Sequence, residues 1–123
     1  VSKKACMIVY GDKEICIYPA QKIMKVLGKE YTLLIIGLLG NKEKSGFNEI
    51  ARNVGNPRPN LLSKRLRELE EAGLVSRKVI PGIPVKTEYS LTEKGKKLRD
   101  LLIPVFEWIE SVQNMQDLKH KKA

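Results

Sequence analysis

Apolar residues recur along this chain in two rhythms, and each change of rhythm marks an element. Cys6 to Tyr10 and Ile15 to Tyr18 are short β-prone runs on either side of the turn residues Gly11-Asp12-Lys13-Glu14, which predicts an N-terminal β-hairpin. A lone hairpin is marginal in water, so this one should pack against its own domain or a partner chain. From Pro19 the spacing turns helical, with Ile23, Met24, Val26 and Leu27 leading to Gly28 as a stop. A second helix is expected from Tyr31 to Leu39. Leu33, Leu34, Ile35, Ile36, Leu38 and Leu39 make it apolar almost all round, and such a helix belongs at the centre of a fold.

After the polar connection Asn41 to Ser45, Phe47, Ile50, Ala51 and Val54 follow helical spacing, and Gly55 ends that short helix. Asn56-Pro57-Arg58-Pro59 cannot stay helical, because each proline restricts the residue before it. The next helix is expected from Asn60, as its N-cap, to Ala72-Gly73. Leu62, Leu66 and Leu69 form its buried stripe, with Leu61 beside them. Leu74 to Ile80 and Val85 to Leu91 read as strands around the loop Pro81-Gly82-Ile83-Pro84, with Val85, Thr87, Tyr89 and Leu91 on one face. Thr92 is placed to cap a last helix carrying Leu98, Leu101, Leu102, Val105, Phe106, Trp108, Ile109 and Val112. Pro104 should kink or interrupt it.

This order is that of a winged helix-turn-helix. The expected fold is α+β and mostly helical, one domain over residues 1–123. Its parts are a hairpin arm (1–18), the helix-turn-helix (47–73), the wing (74–91), a long C-terminal dimerisation helix (92–116) and a basic tail (117–123) expected to be disordered. The last helix holds more apolar surface than so small a core needs, which makes it a natural homodimer face.

Charge sharpens the picture. The net charge is +9, and the segment from Asn56 to Arg99 holds eleven Lys and Arg against five Glu. Such an excess suits a polyanion, because each phosphate neutralised releases counterions. The leucine stripe of the Asn60 helix turns the opposite face outward, with Asn60, Ser63, Lys64 and Arg67, and Arg65 at the edge. These side chains suit phosphates and base edges in a DNA major groove. Arg58 in the turn suits a phosphate or the first base, and Arg77, Lys78 and Lys86 on the wing suit flanking phosphates or the minor groove. The plainer reading is a solvated polar face on a structural helix; the wing beside it favours double-stranded DNA. An RNA duplex fits less well, because its deep, narrow major groove does not admit such a helix.

Other classes find little support. There is no Gly-rich phosphate loop and no Ser/His/Asp set, and the single His120 lies in the tail, so no catalytic residue or cofactor is assigned. Cys6, Cys16 and His120 cannot supply a four-ligand zinc site, so no metal is expected. For Cys6 and Cys16 the plain reading is inert thiols and the sharper one a redox switch, although no tight hairpin register opposes them directly. The longest apolar run, Leu33 to Leu39, is far short of the ~20 residues of a membrane span. No signal peptide is visible, so the expected location is cytoplasmic. No effector pocket is evident. The alternatives to a sequence-specific regulator are a non-specific nucleoid-type DNA-binding protein and a protein-interaction adaptor. An adaptor should expose an acidic or apolar helix face rather than a basic one.

Four motifs resemble one family. Leu66-Arg67-Glu68-Leu69-Glu70-Glu71-Ala72-Gly73-Leu74-Val75-Ser76-Arg77 resembles the end of the recognition helix and first wing strand of HxlR-type regulators, within the MarR-like superfamily. Tyr89-Ser90-Leu91-Thr92-Glu93-Lys94-Gly95 resembles their exit from the wing. Leu27-Gly28-Lys29-Glu30-Tyr31-Thr32-Leu33-Leu34-Ile35 is similar to their first helix junction, with Glu30-Tyr31 where Lys-Trp is usual. Gly46-Phe47-Asn48-Glu49-Ile50 resembles the start of their helix-turn-helix. The resemblance implies a homodimeric transcription regulator whose terminal elements pack across a two-fold axis and whose recognition helices address a pseudo-palindromic operator. Members commonly begin the first helix with Cys-Pro, and in some that cysteine senses oxidants. Here Tyr18 precedes Pro19, with Cys16 two positions earlier, so the redox role does not carry over by position.

Overall fold

Twelve apolar side chains decide where the elements lie. In the computed structural model, which describes residues 7–16 and 21–122, the order is β1 (Met7–Tyr10), β2 (Lys13–Cys16), α1 (Gln21–Leu27), α2 (Thr32–Leu39), β3 (Ser45–Gly46), α3 (Phe47–Asn53), α4 (Pro59–Glu71), β4 (Val75–Ile80), β5 (Lys86–Leu91) and α5 (Glu93–Lys122). The core joins Ile35, Ile36 and Leu39 of α2 to Ile50 and Val54, to Leu62, Leu66 and Leu69 of α4, and to Leu74, Val75, Tyr89 and Leu91. Ile35, Ile36 and Leu39 give α2 the central place its apolar run predicts, but the run is not buried all round, since Leu34 is 45% exposed.

The wing is a three-stranded antiparallel sheet in the order β3-β5-β4. Its first strand was not expected from the sequence. Ser45 and Gly46 carry no apolar alternation, yet they pair with Tyr89 and Glu88 and tie the start of α3 to the wing. Of the face expected to point inward, Tyr89 and Leu91 are buried and Thr87 is half-buried, while Val85 is exposed and precedes β5. The N-terminal hairpin forms a separate sheet. Its turn is tighter than expected: only Gly11 and Asp12 lie outside the strands, and Lys13 and Glu14 pair with Tyr10 and Val9. Cys16 pairs with Met7 and is exposed. Cys6, Ile17, Tyr18 and Pro19 fall outside the described residues.

Two helix ends differ from the pattern-based expectation. Asn60 is not the N-cap of α4. Pro59 occupies the first helical turn and Arg58 the cap position, because proline's fixed φ suits that turn and its missing N–H costs nothing there. The last helix is neither interrupted at Pro104 nor finished at 116; α5 continues to Lys122. Both Pro104 and Asp100, whose carbonyl loses its helical partner, face solvent, so the lost bond leaves no buried polar group. Beyond Pro104 no further proline or glycine breaks the sequence, and its Lys, Gln, Met and Leu favour helix.

One knot joins α4, the wing and α5. Gly73, at φ 78°, closes α4 with paired bonds, its N–H to the Glu70 carbonyl at 3.0 Å and the Leu74 N–H to the Leu69 carbonyl at 3.0 Å. The Thr92 hydroxyl donates to the Gly73 carbonyl at 2.6 Å and accepts from the Gly95 N–H at 3.0 Å, while its own N–H reaches the Leu74 carbonyl at 3.1 Å. Thr92 thus caps α5 as expected and also holds the end of α4. Gly95 packs directly on the Leu74 carbonyl, where a Cβ would collide with backbone. Further along α5, Arg99 donates to the Gly37 carbonyl and to Asn41 Oδ1, both at 2.8 Å.

Candidate DNA interface

Leu62, Leu66 and Leu69 are at most 1% exposed. Spaced four and three residues apart, they lock one face of α4 against the core and fix which side chains face outward. Asn60, Lys64 and Arg67 are exposed on that outer side and Ser63 is half-buried beside them. Arg58 stands exposed at the cap of α4, one turn before Leu62. Among the described residues Lys64 and Arg67 enter none of the salt bridges, so their charge is presented to solvent.

Arg65 does not join this group. Its guanidinium donates from Nε to the Glu30 carbonyl at 2.9 Å and from Nη1 to Glu68 Oε1 at 2.9 Å, and its side chain is only 13% exposed. The Lys29 ammonium pairs with the other oxygen of the same carboxylate. The Lys29 ammonium, aided by Arg65, holds the Glu68 carboxyl below the ordinary carboxylate range despite some desolvation. This cluster pins α4 to the α1–α2 junction, where Tyr31 adopts a left-handed backbone at φ 72°. A bulky residue holds that conformation only where its surroundings enforce it. Arg65 therefore orients the outward face rather than belonging to it. A second carboxyl, Glu49 of α3, is held low by Lys42 and then by Ser45.

The wing divides its three cations between two faces. In the β4–β5 register Arg77 pairs with Tyr89, Lys78 with Glu88 and Ile80 with Lys86. Because neighbours along a strand alternate, Arg77 shares a sheet face with Tyr89, whereas Lys78 and Lys86 lie on the opposite face with Glu88. Glu88 there is paired with Lys44 at 3.3 Å. Only Arg77 of the three meets α4. Ser63, Arg67 and Glu70 of α4 and Arg77 and Tyr89 of the wing line one cleft of about 260 Å³. Sequence reasoning missed Tyr89 and Glu70 here. The i, i+4, i+7 spacing of Ser63, Arg67 and Glu70 is visible in the sequence, but the partnership with Tyr89 depends on strand register. Among the described residues no group of three His, Cys, Asp or Glu is placed to hold a metal, and no helix is long and apolar enough to cross a membrane.

The helix-turn-helix of α3 and α4, followed by the wing and the long α5, matches a known pattern. Residues 26–117 fit the HxlR-like helix-turn-helix family. The chain belongs to this family. Over 88 residues, 72% of this chain and 81% of the relative, it is 42% identical to the uncharacterized HTH-type transcriptional regulator YvaP of Bacillus subtilis. An uncharacterized HTH-type transcriptional regulator of Methanothermobacter thermautotrophicus is 34% identical over 113 residues, 92% of this chain and 85% of that one. The crystal structure of a possible HxlR family transcriptional factor from Thermoplasma volcanium superposes with a TM-score of 0.77 at 39% identity, covering 88% of this chain and 96% of that one. This HxlR-family chain is a helix-turn-helix transcriptional regulator, with the winged fold read from its sequence.

Proposed function

We propose that the protein binds a pseudo-palindromic operator as a homodimer, with α4 of each copy in the major groove. The observation that carries this reading is the division of α4 into a leucine face sealed in the core and an outer face set by it whose N-terminal part is basic, with Arg58, Lys64 and Arg67 ahead of Glu70 and Glu71. Asn60 and Lys64 stand where base edges would be read, and Arg58 where it would meet a phosphate at the head of the helix. Lys78 and Lys86 on the far wing face would hold flanking phosphates. The second copy is supported by α5, whose Leu101, Val105, Trp108, Ile109 and Met115 are exposed, and by Ile8, Val9 and Ile15 of the equally bare hairpin. In a two-fold dimer of this kind the half-sites would lie one turn of DNA apart, about 34 Å.

The test is selection from random and genomic duplex DNA by the purified protein, followed by affinities across a salt series. A selected two-fold symmetric site whose affinity falls steeply with salt supports the reading. Binding without a selected sequence replaces it with a nucleoid-type coating protein. No binding to duplex DNA leaves the adaptor reading.

A further inference from the structure

The cleft between α4 and the wing brings two arginines from different elements over the same space. Arg67 comes from the middle of α4 and Arg77 from β4, and Ser63 of α4 and Tyr89 of β5 line the same cavity. Tyr89 is 7% exposed, yet its ring lines this cavity and no hydrogen bond of its hydroxyl to the described residues is seen. The volume, about 260 Å³, is far more than the ~15 Å³ that one water requires. Neither arginine forms a salt bridge with a described carboxylate. Glu70, exposed on the last turn of α4, lines the same cleft.

We infer that this cleft is a clamp for one phosphate of the DNA backbone, shared by Arg67 and Arg77 and aided by the Ser63 and Tyr89 hydroxyls. The inference rests on the DNA-binding reading and deepens it. With Glu70, the two guanidiniums leave the cleft one net positive charge against the single negative charge of a phosphodiester, and they and the neutral hydroxyls offer donors to its oxygens. Both elements are held by the Thr92 knot, so the clamp fixes how deeply α4 enters the groove. Arg67 is thereby assigned to the backbone, and base reading falls to Asn60 and Lys64. The Glu70 carboxylate in the lining opposes the phosphate and limits its hold.

The test uses the full chain and a random-sequence DNA duplex, since a phosphate clamp does not depend on sequence. Arg67→Ala, Arg77→Ala, their double variant, Tyr89→Phe and Glu70→Gln are compared across a salt series, with thermal melting to confirm folding. Tyr89→Phe keeps the ring in the core and should weaken binding about five- to tenfold, on random and selected duplexes alike. Glu70→Gln should tighten binding. The arginine losses should be strongly non-additive, and the double variant should lower the salt slope by about one phosphate's share per copy, ~0.9, which is ~1.8 for the dimer. Additive losses with a slope change of about two shares per copy, ~3.6 for the dimer, overturn the clamp while leaving the DNA reading intact. So does unchanged binding by Tyr89→Phe. Failure of the unaltered protein to bind duplex DNA overturns both.

Discussion

Helices α4 and α5 each carry an apolar stripe, but only one of them is finished by its own chain. The stripe of α4 is sealed beneath α2 and the wing, and Leu62 and Leu69 have no exposed surface. The stripe of α5 starts in the core, through Leu98 and Leu102, and then runs out of cover. Trp108 is 65% exposed and Leu101 67%. Both helices read as amphipathic, α4 the more sharply, but pattern alone does not say what lies against the apolar face. The difference lies in length: α4 spans 13 residues and ends where the core ends, whereas α5 spans 30 and overshoots it. The short helix turns polar and charged side chains outward, and the long one leaves hydrophobic area uncovered.

Substitutions on the two stripes should separate these roles. The largest effect is expected on α4: Leu66→Ala should destabilise the fold by about 2–5 kcal/mol, seen as a lower denaturation midpoint at every protein concentration. A loss below about 1 kcal/mol would mean that the site collapses around the void or that α4 is not locked as described. On α5, Trp108→Ala should leave the monomer fold intact and weaken self-association by about 2 kcal/mol. Sedimentation should show dissociation at higher concentration, and the melting temperature should become more concentration-dependent in the dilute range. Unchanged association would place the dimer face elsewhere.

The outer face of α4 is expected to give a smaller effect of another kind. Lys64→Ala should reduce the preference for a selected operator over random duplex by about 1 kcal/mol, without altering melting. Equal weakening on both duplexes would move Lys64 to the backbone class. The smallest effect concerns pH. The Glu68 carboxyl is held low by Lys29 and Arg65 in the folded chain, so its stabilisation is complete above the unfolded value of about 4.3 and is lost as pH falls through the folded one. Glu68→Gln should remove that acid-side component, worth under about 1 kcal/mol for so partly exposed a group. An acid limb identical to that of the unaltered protein would show that the pair adds nothing to stability.

What the sequence revealed, and what it hid, follows the range of the interactions. The leucine spacing of α4, the stop at Gly73, the cap at Thr92 and the buried run of α2 are local signals, and each appears where its residues predict. The helical wheel puts Arg65 at the edge of the outer face of α4. Its true partner, the Glu30 carbonyl, is 35 residues away, and no periodicity reports that. β3 escaped notice because two residues cannot show alternation, and the assignment of Asn60 as a cap lost to the backbone preference of Pro59. Pro104 looked like a breaker because the rule assumes that the lost bond matters, whereas at an exposed helix face water can take its place. The clamp residues were half visible: Arg67 and Arg77 stood out by charge, but only the strand register brings Tyr89 to them.

The direct packing of Gly95 on the Leu74 carbonyl has a mechanical consequence. With no side chain between them, the root of α5 has no soft layer in which to absorb a tilt. The far end of that helix is therefore the long arm of a lever whose fulcrum lies against the end of α4. In a two-copy assembly joined through α5, a few degrees of roll at the joint would reappear as a changed span between the two DNA-facing helices. The protein would then act as a gauge with a fixed throw, and whatever alters the joint would alter which operator spacing fits.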